Sequence, residues 1–419
     1  MGDGGTVRAP EWVQKVANVL FCLVAIGGIG WGGRETWLVL SGRHQIDEAC
    51  AGLVPAGRVL ALSPAGGKVT HRVSYDPIEL DDLLSGQECE LFSTEAGEQH
   101  GRDSEGRLFF TGAVGVMPGS QQVVADDPLE QLLNPYGGTA YPAQPLGGGI
   151  AGVVGDAGVV VHLPCAEGKV GSRPINALWA RAELLDPKRS FLEGGQLGGS
   201  DRNILADTAV RTANNLAERL GCAERLPDAP DDVPALSEGP IPAARAEGTC
   251  AWYSKAGYAR QRTYPDQVLE SRTDAKLWDE QCGLIVNENR ATGLYLRGTA
   301  EHRSLIRPER PGQWFVSLHT YSGADATKVL LTSTSSDEKP EPAEPGKAGR
   351  STEEPVWWAS SICDGHPQVH TMTLAHGYNR LVSPRMTKIF RAYVDDVTRR
   401  RGCSDIAFPT ASSFRRDGS

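Results

Sequence analysis

The sequence predicts an α+β protein with two disulfide-stapled domains that follow an N-terminal transmembrane helix. Eight of its nine cysteines lie after the only long apolar segment and form two sets of four. In each set, a strand ending in the third cysteine (GVVVHLPC or VWWASSIC) leads through a second strand into a helix ending at the fourth (RLGC or RRRGC). Hairpins of Val- and Trp-rich strands, each followed by a helix, are typical of mainly antiparallel sheets. We therefore expect two tandem repeated α+β domains.

Composition divides the chain into seven segments. The region between the two cysteine sets is rich in proline and acidic residues, which is typical of an extended linker. In order, the predicted segments are a cytoplasmic tail (1–15), a transmembrane helix (16–33), a stalk (34–49), the first ectodomain repeat (50–222), a Pro-rich linker (223–249), the second ectodomain repeat (250–403) and a C-terminal tail (404–419).

The segment from Val16 to Gly33, VANVLFCLVAIGGIGWGG, predicts the membrane span. It carries no charge over 18 residues, and at the helical rise it would extend about 27 Å, which is just enough to cross a bilayer. Arg8 and Lys15 precede it and place the N-terminus in the cytoplasm. The sequence therefore predicts a single-pass protein of the cell membrane with its bulk outside the cytoplasm.

Two further interpretations concern the same segment. Its apolar core is short, and Ala25 with Gly27 resembles a small-residue cleavage site, so secretion after signal cleavage is the alternative. Gly28 and Gly32 lie four residues apart, a spacing that lets a second helix approach closely in a membrane. This pair predicts a packing site for a homodimer.

The eight later cysteines are predicted to form disulfides, since an even set in an exported chain is expected to be paired. No close pair of the C-x-x-C type is present, which argues against a cysteine-bound zinc ion. Spacing alone does not settle the pairing, because eight cysteines allow 105 connectivities. Schemes that repeat between the two sets are favoured by the duplication, and the preferred one is Cys50–Cys89, Cys165–Cys222, Cys250–Cys282 and Cys363–Cys403.

One amphipathic helix is predicted before the last cysteine of each set. In the first, apolar residues recur every three or four positions and Ser200 or Asp201 is available as the N-cap. In the second, Ser383 and Pro384 mark the start, and Arg399, Arg400 and Arg401 form a cationic last turn that suits the negative end of the helix dipole. The residues of the two apolar stripes are Leu205, Ala209, Thr212, Leu216 and Leu220, and Met386, Ile389, Phe390, Tyr393 and Val397.

The chain lacks the sequence patterns of common catalytic sites. There is no G-x-S-x-G elbow, no H-E-x-x-H, no Walker loop and no EF-hand loop. The net charge of −10 argues against nucleic-acid binding. We therefore expect a non-catalytic binding or scaffold protein of the cell envelope, without cofactor or metal. Its partner would be a protein or a small ligand, held by default in the groove between the repeats.

Histidines of the second repeat support the alternative function, a cell-envelope hydrolase with a histidine and carboxylate site. His366 and His370 flank the start of the predicted strand VHTMTLAHGY, and His319 lies on a neighbouring predicted strand. These three are also the weak candidates for a metal site. Clustering of the histidines with a carboxylate in a concave pocket would favour the enzyme, and dispersal over the surface would argue against it.

The chain resembles uncharacterised single-pass membrane-anchored proteins of Streptomyces and related actinobacteria. The resemblance lies in the short cytoplasmic tail, the anchor VLFCLVAIGGIGWGGRETWLVL and the cysteine-bearing ectodomain from HQIDEACAGLVPAG onward. It implies the compartment and the architecture, and it implies no activity and no functional residues.

Overall fold

The computed structural model describes residues 11–72, 77–84, 86–97, 106–118, 123–124, 141–185, 196–299, 303–304, 306–331, 341–352 and 354–414. Two antiparallel sheets, each covered by a long helix, dominate this part of the chain. The α+β class is therefore confirmed. The helices are α1 (Glu11–Ala49), α2 (Ala56–Val59), α3 (Gly199–Leu220), α4 (Ala251–Lys255), α5 (Glu288–Arg297) and α6 (His376–Arg401).

The first sheet contains eight strands in the order β1-β2-β3-β9-β7-β6-β5, with β8 paired to β9. Its long central strands β3 and β9 pair antiparallel over most of their length. Helix α3 packs on β7 and β9. The strands of this part of the chain are β1 (Val69–His71), β2 (Gln87–Ser93), β3 (Arg107–Pro118), β4 (Val123–Val124), β5 (Gln144–Gly147), β6 (Ile150–Val154), β7 (Gly158–Pro164), β8 (Lys169–Val170) and β9 (Arg173–Leu184).

The second sheet also contains eight strands, in the order β10-β11-β12-β13-β17-β16-β15, with β18 paired to β16. Helix α6 packs on β13, β16 and β17. Strand β14 lies outside this sheet and pairs in parallel with β4 of the first domain. These strands are β10 (Ile241–Pro242), β11 (Gln267–Glu270), β12 (Asp279–Ile285), β13 (Phe315–Ser322), β14 (Val329–Leu330), β15 (Gly349–Arg350), β16 (Val356–Cys363), β17 (His366–Leu374) and β18 (Ser404–Ala407).

Four disulfides are present, and they join the pairs of the repeating scheme: Cys50–Cys89, Cys165–Cys222, Cys250–Cys282 and Cys363–Cys403. Each of the two long helices ends at a glycine in the left-handed region, Gly221 with φ 72° and Gly402 with φ 65°. A residue with a side chain rarely adopts this conformation, which reverses the chain after the last turn. The cysteine that follows each glycine donates back into the helix and reaches its partner at the end of a strand.

The apolar stripes predicted for α3 and α6 face the two sheets. Leu205, Ala209 and Leu216 are fully buried in the first core, and Met386 and Phe390 are fully buried in the second. Burial of each such side chain contributes roughly 1.5–3 kcal/mol. The stripes therefore hold each helix on its sheet.

The predicted starts of these helices need correction. Helix α3 begins at Gly199 without a side-chain cap, because the N-cap residue is Gly198. The Asp201 carboxylate lies in the first turn and accepts hydrogen bonds from the backbone N–H and the hydroxyl of Ser63. Helix α6 begins at His376, seven residues before Ser383. Tyr378 and Val382 extend its buried stripe toward the N-terminus, and their packing on the core favours helix there.

Helix α1 is continuous from residue 11 to residue 49 and so includes the predicted span and the predicted stalk. Its C-terminal end packs into the first core through Ile46 and Ala49. Within the described part of the chain, no helix has the length and apolar character needed to cross a membrane. Apart from the neighbouring residues and backbone of α1 itself, no heavy atom of the described residues lies within 4 Å of the position that a Cβ would take on Gly28 or Gly32.

The Pro-rich linker, residues 223–249, packs on both domains, whereas the sequence predicted an extended segment. Leu226, Val233 and Leu236 are buried in the first core, and Ala243 is buried in the second. The aliphatic side chains along this linker therefore attach it to the surface of each domain.

Candidate functional site

A cavity of about 120 Å³ lies where the two domains meet. The first domain contributes Pro142, Ala143 and Val153 to its wall. The second domain contributes residues from the end of β11 to β13, including Leu277 and Trp278. A space of this size, with mostly apolar walls, suits a small molecule or one small group of a larger molecule.

Three interdomain hydrogen bonds fix the wall of the cavity. The Gln144 side chain donates through Nε2 to the Glu270 carbonyl at 3.2 Å and accepts from the Arg272 backbone N–H at 2.9 Å. Arg272 also donates through Nη2 to the Pro145 carbonyl at 3.0 Å. Gln144 is 1% exposed, so these bonds are shielded from water and hold the two domains in register.

The imidazole of His162 is a further contact between the domains. Its ring centroid lies 5.3 Å from that of Trp278. Burial, together with the positive charge of Lys328, lowers the pKa of His162 to about 4. The imidazole is therefore neutral at neutral pH and packs as an aromatic ring between the domains.

The polar side of the cavity is the outer face of the second sheet, which points away from α6. Ser317 and His319 lie two residues apart on β13 and share this face, since side chains alternate along a strand. The register places Gly283 of β12 opposite Ser317, and Gln281 opposite His319. Gly283 and Ser317 both line the cavity. The missing side chain at position 283 leaves space beside the Ser317 hydroxyl.

A chain of hydrogen bonds runs across this face. His319 Nδ1 lies 2.9 Å from Asp279 Oδ1, and His319 Nε2 lies 3.0 Å from Ser317 Oγ. The second carboxylate oxygen, Asp279 Oδ2, accepts from Gln281 Nε2 at 2.9 Å. A carboxylate accepts only, so Nδ1 carries a proton, and in the neutral imidazole Nε2 then accepts from the serine hydroxyl. The arrangement is a serine, a histidine and an aspartate connected in that order.

Tyr321 supports the orientation of the imidazole. Its ring stacks on that of His319 with centroids 5.7 Å apart and an interplanar angle of 8°. His319 is 3% exposed, whereas the Asp279 side chain is 21% exposed. The imidazole is therefore held by a ring contact and a carboxylate, and its two hydrogen-bond partners, Asp279 and Ser317, line the cavity.

The three histidines singled out in the sequence do not meet. His319 belongs to the outer face, and His370 is fully buried on the inner face of the same sheet, beneath α6. His366 is exposed at the start of β17. Among the described residues, no group of three or more His, Cys, Asp or Glu side chains is placed to hold a metal ion.

Within the described part of the chain, the hydrogen-bond partners of His370 are hydroxyl groups. Thr320 Oγ1 lies 2.9 Å from its Nδ1, and Ser361 Oγ lies 2.9 Å from its Nε2. Burial, together with the charge of Arg401, lowers the pKa of His370 to about 3. This imidazole is therefore neutral and part of a closed hydrogen-bond network.

The basic cluster at the end of α6 has a more specific role than interaction with the helix dipole. Arg400 and Arg401 both bind the carboxylate of Glu280 on β12, with Arg401 Nη2 2.9 Å from Glu280 Oε2. Arg400 Nε also contacts Asp396 Oδ2 at 2.8 Å. Glu280 is fully buried, so this cluster joins the helix to the inner face of the sheet.

Sequence reasoning identified His319 and did not identify Ser317, Gln281 or Asp279. One signal for Ser317 was present, because the alternation of polar residues in FVSLHTYS puts Ser317 and His319 on the same face of a strand. No local pattern pointed to Asp279, which lies forty residues earlier in the chain and reaches the imidazole only through the pairing of β12 with β13.

Comparison with known proteins found no relative. No family model matches the chain, and neither a curated protein nor a solved structure is significantly similar to it.

Proposed function

We propose that this is a membrane-anchored extracytoplasmic binding protein of the cell envelope, and that its ligand site is the cavity between the two domains. The observation that carries the proposal is the convergence of both domains on one small space, with apolar walls and a polar side. The ligand, or the part of it that enters, is a small uncharged group with an apolar end and a hydrogen-bonding end, such as an acetyl-sized amide or ester.

The proposed compartment is supported by two features. Four disulfides are typical of proteins on the oxidising side of a membrane. Between Val16 and Ile26 of α1, the large apolar side chains are at least half exposed, namely Val16, Val19, Leu20, Phe21, Leu23, Val24 and Ile26. A lipid bilayer is the occupant that would cover these side chains on every side of the helix. In this proposal the N-terminus is cytoplasmic and the bulk is extracytoplasmic.

We also propose that the two domains are tandem copies of one unit. The two sheets share an order of neighbouring strands that begins at the strand with the second cysteine of each set. This order is β2-β3-β9-β7 in the first sheet and β12-β13-β17-β16 in the second. In both, a helix that ends in Gly-Cys is disulfide-bonded to the strand carrying the third cysteine. The cavity would then be formed between two copies of the unit.

Binding to the cavity is tested with the full chain in detergent and two amides, acetamide and propionamide, as probes. Saturable binding in ligand-observed NMR is expected for at least one of them. Ala143→Trp, which adds a large ring to an exposed position at the cavity wall, should abolish it. Ala166→Trp, at an exposed alanine of the same domain away from the cavity, is the matched control. Equal binding by the two variants, or none by the unmodified chain, would contradict the proposed site.

The anchor is tested by fractionation of cells that express the full chain. We expect the protein to stay in the membrane pellet after alkaline carbonate extraction and to retain its N-terminal sequence. A mature N-terminus beyond Ala25 would instead show secretion after cleavage. Replacement of Gly28 and Gly32 by Ile should remove any dimer detected by crosslinking, whereas a dimer that persists would exclude this pair as the packing site.

A second function, hydrolysis, is favoured by one specific observation. His319 is bonded to both a carboxylate and a serine hydroxyl at the cavity. The hydrolase site that the sequence predicted from three histidines therefore reduces to His319 with Asp279 and Ser317.

A further inference from the structure

We infer that Ser317, His319 and Asp279 form a hydrolytic site for short-chain acyl esters. This inference rests on the proposed ligand site, because the ester would occupy the same cavity. The order of the hydrogen bonds is the one that activates a serine: the hydroxyl donates to Nε2, and the carboxylate accepts from Nδ1 of the same ring.

Access to the nucleophile comes from the cavity. Ser317 is only 2% exposed, yet its side chain lines the cavity together with Gly283. Because Gly283 is the register partner of Ser317 on β12, any larger residue there would project from the same face next to the hydroxyl. The geometry leaves room for a planar acyl group beside Oγ.

The reaction balances without an added oxidant or cofactor. Ser317 Oγ bonds to the carbonyl carbon of the ester while its proton passes to His319 Nε2. The carbon–oxygen bond to the alcohol then breaks, and His319 gives that proton to the departing alcohol. Water attacks the acyl-serine, its proton passes through His319 back to Ser317 Oγ, and the carboxylic acid is released. Asp279 remains ionised and stabilises the imidazolium in both halves.

Gln281 supplies a polar side chain at the cavity wall. One N–H of its side-chain amide donates to Asp279 Oδ2 at 2.9 Å, and the residue also lines the cavity. The amide has a second N–H, which is the donor type needed to stabilise an oxyanion. Its anchoring on Asp279 keeps the amide fixed beside the imidazole.

The size and lining of the cavity define the substrate class. About 120 Å³ is somewhat less than the roughly 150 Å³ of an apolar cavity that accepts benzene. Leu277 and Val153 offer apolar contact to the methyl end of an acyl group. Acetyl and propionyl esters fit this space, and an octanoyl chain exceeds it.

The inner face of the same sheet provides a matched control. Ser361 is hydrogen-bonded to His370 at 2.9 Å, as Ser317 is to His319. His370, however, has a threonine hydroxyl on its other nitrogen and is buried under α6. A serine–histidine contact without a carboxylate or a cavity should be inactive.

The first experiment measures hydrolysis of p-nitrophenyl acetate and p-nitrophenyl octanoate by the full chain in detergent. We expect saturable turnover of the acetate, with kcat/KM at least tenfold above that of the octanoate. Ser317→Ala and His319→Gln should each lower kcat/KM at least about 100-fold, the range of general acid–base and nucleophilic contributions. Ser361→Ala should change it less than about threefold. Turnover in the Ser317→Ala variant that matches the unmodified chain would overturn the inference.

Covalent labelling and a positioning variant complete the test. A fluorophosphonate should lose fluoride and add to Ser317 Oγ, detected by peptide mass spectrometry, and His319→Gln should block this addition. Label on Ser361, or none on either serine, would contradict the inference. Asp279→Asn should lower kcat with little change in KM, because the Asp279 carboxylate acts on the reaction through the imidazole that it orients. Asp279→Glu should restore part of kcat. A loss confined to KM would contradict that role.

Folding and binding are measured on every variant. Ser317→Ala should keep the circular dichroism spectrum of the unmodified chain, and Ser361→Ala should keep both the spectrum and the binding of propionamide. Ser317→Cys retains a nucleophile and should retain part of the turnover, and a Cys variant as inactive as Ala would overturn the role of the nucleophile. Amide binding without turnover in the unmodified chain would leave the proposed ligand site intact and refute hydrolysis. Absence of both would refute the proposed site as well.

Discussion

The two faces of strand β12 carry consecutive carboxylates with opposite surroundings. Asp279 points outward and accepts from His319 beside the cavity, with its side chain partly exposed. Glu280 points inward and binds Arg400 and Arg401 of α6, with no exposure. A buried charge needs its partner because no water replaces it, whereas a carboxylate near a cavity keeps access to solvent. The inner face is therefore suited to stability, and the outer face is suited to chemistry.

The largest expected effect comes from breaking the inner ion pairs. Glu280→Gln removes the charge that neutralises Arg401, whose side chain is 6% exposed, and should lower the free energy of unfolding by about 3–5 kcal/mol. Asp279→Asn, the same change on the outer face, should cost less than about 1 kcal/mol. Urea unfolding of both variants measures the difference. Equal losses of unfolding free energy in the two variants would show that the inner carboxylate is no more important for stability than the outer one.

Acid should act on the inner histidine. The pKa of His370 is about 3 in the folded chain against an ordinary value of 6.5, so below pH 6.5 the unfolded chain binds a proton that the folded chain does not. Above pH 6.5 this histidine therefore does not lower the free energy of unfolding. As the pH falls from 6.5 toward 3, it lowers the free energy of unfolding by about 1.4 kcal/mol per pH unit. His162, with a pKa of about 4, adds a second contribution of the same sign.

Unfolding measured at pH 7, 6, 5 and 4 tests the role of His370. We expect His370→Gln, which retains hydrogen-bonding groups at this position, to lose stability less steeply with acid than the unmodified chain. Parallel curves for the two proteins would place the acid sensitivity elsewhere.

The two serine–histidine contacts should differ in stability as well. Ser361→Ala leaves Nε2 of the buried His370 without its partner, and should cost about 1–3 kcal/mol. Ser317→Ala leaves Nε2 of His319 beside a cavity that water can enter, and should cost less than about 1 kcal/mol. Thermal unfolding of both variants distinguishes the two environments, and a reversed order would contradict the assignment of the faces.

The smallest effects are expected at a pair of threonines. Thr320 Oγ1 on the inner face bonds to His370 at 2.9 Å and to the Tyr393 hydroxyl at 2.8 Å, so Thr320→Val should cost about 1 kcal/mol or somewhat more. Thr371 on the outer face has a buried hydroxyl with no hydrogen-bond partner among the described residues. Thr371→Val should therefore be neutral or slightly stabilising. A clear loss of stability in Thr371→Val would indicate a hydrogen bond from this hydroxyl to a buried water molecule.

Much of the fold followed from local patterns. The spacing of apolar residues predicted the buried faces of α3 and α6, and the Gly-Cys endings predicted where each helix stops. The α+β class and the presence of four disulfides are confirmed. The start of α6 was placed too late, because packing of Tyr378 and Val382 outweighs the local start signal at Ser383 and Pro384.

The sequence by itself determined the class of fold, the buried helix faces and the expectation that the eight later cysteines are paired. The apolar period acts over a few residues, and an even set of cysteines is a property of the composition. Only the tertiary structure decided which polar groups meet. Asp279 reaches His319 through strand pairing, and Glu280 reaches Arg401 through the packing of α6. The cavity depends on contacts between residues more than one hundred positions apart, such as Gln144 and Arg272. Contacts of this kind arise from the arrangement of sheets and domains, which no local pattern records.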